Sequence, residues 1–81
     1  PLADGSLEVY PNPARDWLWV KSPDRAGGRL QIFGASGQLV YAQEQWRSEA
    51  PIATRDWPPG LYWIYYTYEG QYYRQKLLLI H

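Results

Sequence analysis

The chain has 81 residues, room for one domain and no more. Lys and Arg together number 8, as do Asp and Glu, so the formal net charge is zero and no long-range field draws the chain to nucleic acid or an anionic membrane. Cysteine is absent, which excludes disulfides and thiolate metal sites. Domains this small bury a modest share of their surface, and with five Trp, eight Tyr and one Phe the expected compensation is aromatic burial. Methionine is absent even at position 1, and no charged-then-apolar leader opens the chain. It therefore reads as a segment of a longer gene product whose own export signal lies upstream of Pro1. The longest purely aliphatic run, Leu77 to Ile80, is far too short to span a bilayer.

In chain order, Pro1 to Ser6 read as the end of a linker and residues 7–81 as the domain. A first strand is expected over Leu7–Tyr10, stopped by Pro11-Asn12-Pro13, where two prolines fix φ and remove two donors. Asn12, preceding a proline, is held extended, and its amide is free to bond neighbouring backbone, so the three residues form a stiff corner between two sheets. A second strand follows over Asp16–Lys21, with Leu18 and Val20 on the core face and Trp17 and Trp19 on the other. The third, Arg29–Phe33, turns Leu30 and Ile32 inward. Gly34-Ala35-Ser36-Gly37 makes a hairpin to the fourth, Gln38–Gln43. Ala42–Ala50 is the best helical window, but Pro51 follows closely, and a fifth strand over Ser48–Ile52 is preferred. Gly60 opens a sixth, Leu61–Tyr68, with Tyr62, Ile64, Tyr66 and Tyr68 facing the core. Glu69-Gly70 is a short hairpin, with glycine supplying a positive φ. The seventh, Tyr72–Ile80, places Leu77 and Leu79 on one face and Leu78 and Ile80 on the other. Turns recurring about every 8–12 residues predict an all-β fold, an immunoglobulin-like antiparallel β-sandwich of about seven strands.

The residues that chemistry needs are missing. The only histidine, His81, is terminal, so no base stands beside a nucleophile, and zinc has no ligand set. Asp4, Ser6 and Glu8 alternate oxygens but lack the glycine and bidentate glutamate of a calcium loop. Asp16 and Asp56 each precede a tryptophan and read as turn-closing residues rather than a glycosidase pair. No glycine-rich phosphate loop joins a strand to a helix. Tyr72-Tyr73-Arg74 interleaves aromatic and basic groups as single-strand binders do, yet the neutral charge argues against nucleic acid. The expectation is no enzyme, no metal and no cofactor.

Four motifs then stand in order: Val9-Tyr10-Pro11-Asn12-Pro13; Gly37-Gln38-Leu39-Val40 after Leu30-Gln31-Ile32-Phe33; Trp57-Pro58-Pro59-Gly60-Leu61-Tyr62; and Lys76-Leu77-Leu78-Leu79-Ile80. From about Leu7 onward the chain resembles the type A C-terminal sorting domain of the type IX secretion system. The family residues that carry over are Tyr10, Pro11, Asn12, Pro13, Gly37, Gly60, Tyr62, Lys76, Leu78 and Ile80. Independently of the resemblance, Tyr62 suits a buried ring with its hydroxyl on a backbone group, as in the corner motif of immunoglobulin-like sandwiches. The sequence departs from the family in its aromatics, with Trp17 and Trp19 around Leu18, and with Trp63, Tyr65 and Tyr66.

The resemblance implies a secretion signal joined to a larger cargo protein of Bacteroidetes-type bacteria. Its partners would be the translocon and a cell-surface sortase that cuts in the preceding linker, and its route the periplasm, then the cell surface or the medium. Leu78 and Ile80, apolar on the outward side of a strand at a sheet edge, would be read by strand pairing, with Lys76 as a charged marker. The alternative is a carbohydrate-binding or adhesive sandwich with Trp17, Trp19 and Trp63 as one platform. It is weaker because aromatics on half-buried strands usually pack.

Overall fold

The computed structural model describes residues 7–21, 27–47 and 51–80. Among them there is no helix, and seven strands form two antiparallel sheets: β1 (Glu8–Tyr10), β2 (Trp17–Lys21), β3 (Arg29–Gly34), β4 (Leu39–Gln43), β5 (Ile52–Ala53), β6 (Gly60–Tyr68) and β7 (Gln71–Leu79). The expected sandwich is therefore what the chain builds. The smaller sheet runs β1-β2-β5 and the larger β4-β3-β6-β7. Of the expected fifth strand only its end is seen as strand, at Ile52 and Ala53; residues 48–50, like Pro1 to Ser6 and His81, lie outside the described residues. The described part of the helical window, residues 42–47, is instead the end of β4 and the bend after it.

Alternation decides which side chains meet. Leu18, Val20 and Ile52 of the smaller sheet face Leu30, Ile32, Ile64, Tyr66, Leu77 and Leu79 of the larger, all buried. Burying each such side chain contributes roughly 1.5–3 kcal/mol. Only four aromatics, Trp46, Tyr62, Tyr66 and Tyr73, join that core. The expectation of aromatic compensation therefore holds for these four, while the interior is mainly aliphatic and several rings decorate the outer faces.

Three buried groups that local alternation does not mark tie together segments distant in sequence, and one of them, Trp46, joins the two sheets. Trp46 sits in the core, and its indole N–H donates to the Val20 carbonyl at 3.1 Å, tying the chain after β4 to β2. Its backbone bonds Gly27 and Gly28, each at 2.8 Å. Gly28 lies so close to β6 that a Cβ there would stand 2.4 Å from the Thr67 carbonyl oxygen, and its N–H donates to the Tyr66 hydroxyl at 2.9 Å. Thr54 is fully buried and satisfied: its hydroxyl donates to the Arg15 carbonyl and its N–H to the Asp16 carbonyl, both at 2.9 Å.

The long hairpin of β6 and β7 sets the register of the larger sheet, with Tyr68 opposite Gln71 and Gly60 opposite Leu79. Its two-residue turn has positive φ at both Glu69 (49°) and Gly70 (79°). From the sequence, the glycine alone is expected to need that conformation. A turn that matches the strand twist needs it twice, so Glu69 adopts it as well.

Two glycines separate steric from backbone constraint. Gly28→Ala meets backbone and a buried ring, and overpacking of this kind costs about 1–3 kcal/mol. Gly60 has φ +142° and open space around a Cβ, so Gly60→Val is strained only in the backbone, again by about 1–3 kcal/mol. Both variants are expected to unfold at lower urea with unchanged slope. An unchanged midpoint for Gly28→Ala would contradict the close approach of that segment to β6.

Candidate functional site

The chain leaves the smaller sheet at Tyr10, crosses to the larger, and returns to β2 at Trp17. On the way Pro11 and Pro13 offer no N–H, and both proline peptide bonds are cis. The missing hydrogen-bonding capacity comes from Asn12. Its Nδ2 donates to the Lys76 carbonyl at 3.0 Å, and its Oδ1 accepts the Leu78 N–H at 3.1 Å. A carboxamide carries one donor group and one acceptor, like a peptide unit, so it pairs with the outer edge of β7 as a short strand would. Two residues later the backbone takes over: Ala14 N–H donates to the Leu78 carbonyl at 2.9 Å, and Ile80 N–H to the Ala14 carbonyl at 2.8 Å, a parallel bridge. The Asn12 amide thus bonds the last strand, far along the chain, rather than neighbouring backbone.

That clamp brings together the first and last of the motifs singled out from the sequence. Pro11, Asn12 and Pro13 lie exposed against Lys76, Leu78 and Ile80. Gly60 pairs with Leu79 and Tyr62 with Leu77, and Tyr62 also pairs with Gly34, whose carbonyl accepts the Gly37 N–H at 2.9 Å. Tyr62 is buried and its hydroxyl donates to the Pro58 carbonyl, the corner expected of it. Desolvation raises its pKa above the ordinary tyrosine value. Tyr10 sits at the end of β1 with its ring stacked on Trp19, centroids 6.5 Å apart. Pro11, Asn12 and Pro13 thus meet Lys76, Leu78 and Ile80 at one pole of the sandwich, with Gly60 and Tyr62 on the adjacent strand, while Tyr10 lies on the smaller sheet and Gly37 in the β3–β4 hairpin.

Two expectations are corrected here. The edge of β7 from Lys76 to Ile80 is not open to strand pairing, because Asn12 and Ala14 already occupy its outward groups. What the strand offers is the Leu78 side chain, 39% exposed, beside its cross-strand partner Leu61, 44% exposed. Leu61 escaped notice because it fills the outward position of an otherwise ordinary alternation. The proposed platform of Trp17, Trp19 and Trp63 does not exist either. The first two point outward from the smaller sheet and Trp63 from the larger, on opposite sides of the core.

The remaining candidates stand apart from the pole or take ordinary roles. Asp16 lies 3.9 Å from Arg55, both exposed, and Asp56 sits in the turn before Trp57. Tyr73 turns into the core while Tyr72 and Arg74 face out, so the basic-aromatic run is split between faces. Lys76 places its Nζ 6.0 Å from the Trp63 ring centroid.

The chain is a small antiparallel β-sandwich in which motifs distant in sequence lie side by side. Residues 8–80 match the secretion system C-terminal sorting domain, and the chain belongs to that family. It is 33% identical over 76 residues to an ulvan lyase of Nonlabens ulvanivorans, covering 91% of this chain and 14% of the lyase. It also superposes with a TM-score of 0.74 and 20% identity on PorZ, described as an essential bacterial surface component of the type-IX secretion system of Porphyromonas gingivalis, covering 93% of this chain and 11% of that one. The chain thus spans only a small part of either protein's length. Domains of this family are sorting signals of the type IX secretion system, and the proteins they sort reach the cell surface or the medium. Such a domain is an address for the protein that carries it.

Asn12→Ala removes both side-chain bonds from an exposed site, with an expected loss of about 1 kcal/mol. The diagnostic is local. Hydrogen exchange at the Leu78 amide should become fast while the Leu77 amide, paired to β6, stays protected. Equal protection of Leu78 in the variant would show that the clamp does not hold the edge.

Proposed function

We propose that this chain is the address of a larger cargo protein, and that the folded pole is what the secretion machinery reads. The carrier reaches the periplasm by a separate signal, the domain folds there, and a translocon component docks on it. Residues 1–6 then form the end of the linker in which a cell-surface sortase cuts, so the domain is substrate in that step and contributes no catalytic group. The lyase relative supports the reading, since a domain like this one accompanies an enzyme many times its size. The observation that carries the proposal is the convergence of Pro11-Asn12-Pro13, Gly60, Tyr62 and Lys76–Ile80 at one pole.

Within that pole the docking contact is the exposed pair Leu61 and Leu78, flanked by Lys76 and the proline corner. Adjacent aliphatics held outward on paired strands are unfavourable in water and mark interaction surfaces. The contact is through side chains, because the strand edge beside them is closed.

Leu61→Ser with Leu78→Ser tests this in a host with the secretion system. Both residues lie on the surface, so each change should alter stability by no more than about 0.5 kcal/mol. A reporter joined to the variant is expected to fold and accumulate in the periplasm. Export at the wild-type rate from a normally folded variant would remove these two side chains from the recognition surface.

A further inference from the structure

The outward face of the larger sheet carries a groove of about 540 Å³, lined chiefly by Gln31, Phe33, Trp63, Tyr65, Thr67 and Tyr72. Gly34, Ala35 and Gly37 of the β3–β4 hairpin line it as well, but it contains neither Leu61 nor Leu78. Tyr65 is its hub, with the Phe33 ring edge-on at 5.7 Å and the Tyr72 ring tilted at 6.4 Å. Tyr72 is 38% exposed. Beside the groove the Arg74 guanidinium lies 5.3 Å from the Trp63 ring centroid, with Lys76 on the same ring. Among the described residues neither cation has a carboxylate partner, and Glu44 is bonded to Arg29 at 2.8 Å.

These features restrict the ligand. β6 runs along the groove with β3 and β7 on either side, so its backbone groups are committed to the sheet. An extended peptide gains its affinity from a free strand edge, which this floor does not offer. Recognition here falls to ring faces, one planar amide, hydroxyls of Thr67, Tyr65 and Tyr72, and two cations. Ring faces suit the C–H faces of a sugar, and the amide and hydroxyls its oxygens. A guanidinium stacked on an indole keeps its N–H edge free for a planar or tetrahedral anion. The volume is that of a small-ligand site. We propose that this groove binds an acidic saccharide, a uronate- or sulfate-bearing chain, with a sugar ring against Tyr65 and Tyr72 and its anion at Arg74 and Lys76. The proposal does not rest on the sorting role, because binding alone reads it.

The test titrates the 81-residue chain with four probes: an oligogalacturonate, a chondroitin sulfate oligosaccharide, a neutral cello-oligosaccharide and a polyglutamate peptide. Calorimetry gives affinity, and backbone amide shifts of the wild-type chain give location. At least one acidic saccharide is expected to bind with a Kd of about 1 mM or tighter. The neutral sugar and the peptide should be weaker by at least about tenfold. Shifts should centre on Gln31, Tyr65, Thr67, Tyr72 and Arg74. Arg74→Gln should weaken binding about tenfold, and Tyr65→Ala with Tyr72→Ala should abolish it while cooperative melting persists. Failure of both acidic saccharides at about 5 mM overturns the proposal. So does equal binding of the neutral sugar or of polyglutamate, or a shift map centred on Trp17 and Trp19. The wild-type shift map keeps the proposal open to refutation even if a variant does not fold.

Discussion

Pro11 and Pro13 leave the opening corner without backbone donors, and the Asn12 side chain supplies what they lack. Its carboxamide meets one carbonyl and one N–H of β7, and Ala14 continues the contact with its own backbone. Three consequences follow from that short ladder. The smaller sheet, which the chain has just left, is tied to the larger by hydrogen bonds as well as by the core. The last strand, otherwise an edge, has its outward groups closed from Lys76 to Ile80. The start and end of the domain are brought together, so the terminal strand takes its final surroundings only when the first one is in place. Thr54 secures the other end of the same excursion by bonding the carbonyls of Arg15 and Asp16.

A closed edge changes what the terminal strand can mean to a partner. Open strand edges recruit other strands with little regard to sequence and are an aggregation hazard. Here that route is blocked where the family motif lies, and what the strand presents outward is side chains whose spacing the β6–β7 register fixes: Leu61 opposite Leu78, Trp63 opposite Lys76, Tyr65 opposite Arg74. One outward row therefore passes from aliphatic at the pole to cationic and aromatic over the groove. The same strands whose inward residues form the core thus carry two chemically different surfaces on their outward positions.

Much of this was legible in the residues. Alternation of Leu18 with Val20, of Leu30 with Ile32, and along Tyr62-Ile64-Tyr66 assigned the core faces correctly, because a half-buried strand writes its orientation into every second position. Glycines and prolines placed the turns, since few other residues fit there. The misses share a cause. Asn12 bonding β7, Trp46 reaching Val20, Gly28 against Tyr66 and the Leu61–Leu78 pair are all contacts between segments far apart in sequence, and no local pattern records them. The supposed tryptophan platform failed for the same reason: Trp17 and Trp63 occupy equivalent outward positions, but of different sheets. Strand five was the weakest local signal, and its described part is only Ile52 and Ala53.

If the pole is what is read, as proposed above, the signal is conformational: the corner supplies one side, β6 another and β7 the third, and none presents that surface alone. The most direct measurement compares two reporters in a host with the secretion system, one joined to the whole domain and one joined only to residues 71–81. The account predicts that the first reaches the cell surface or medium and the second remains in the periplasm. Export of the second at a rate comparable to the first would mean that the terminal strand is read as a linear tag, and the assembled pole would lose its role.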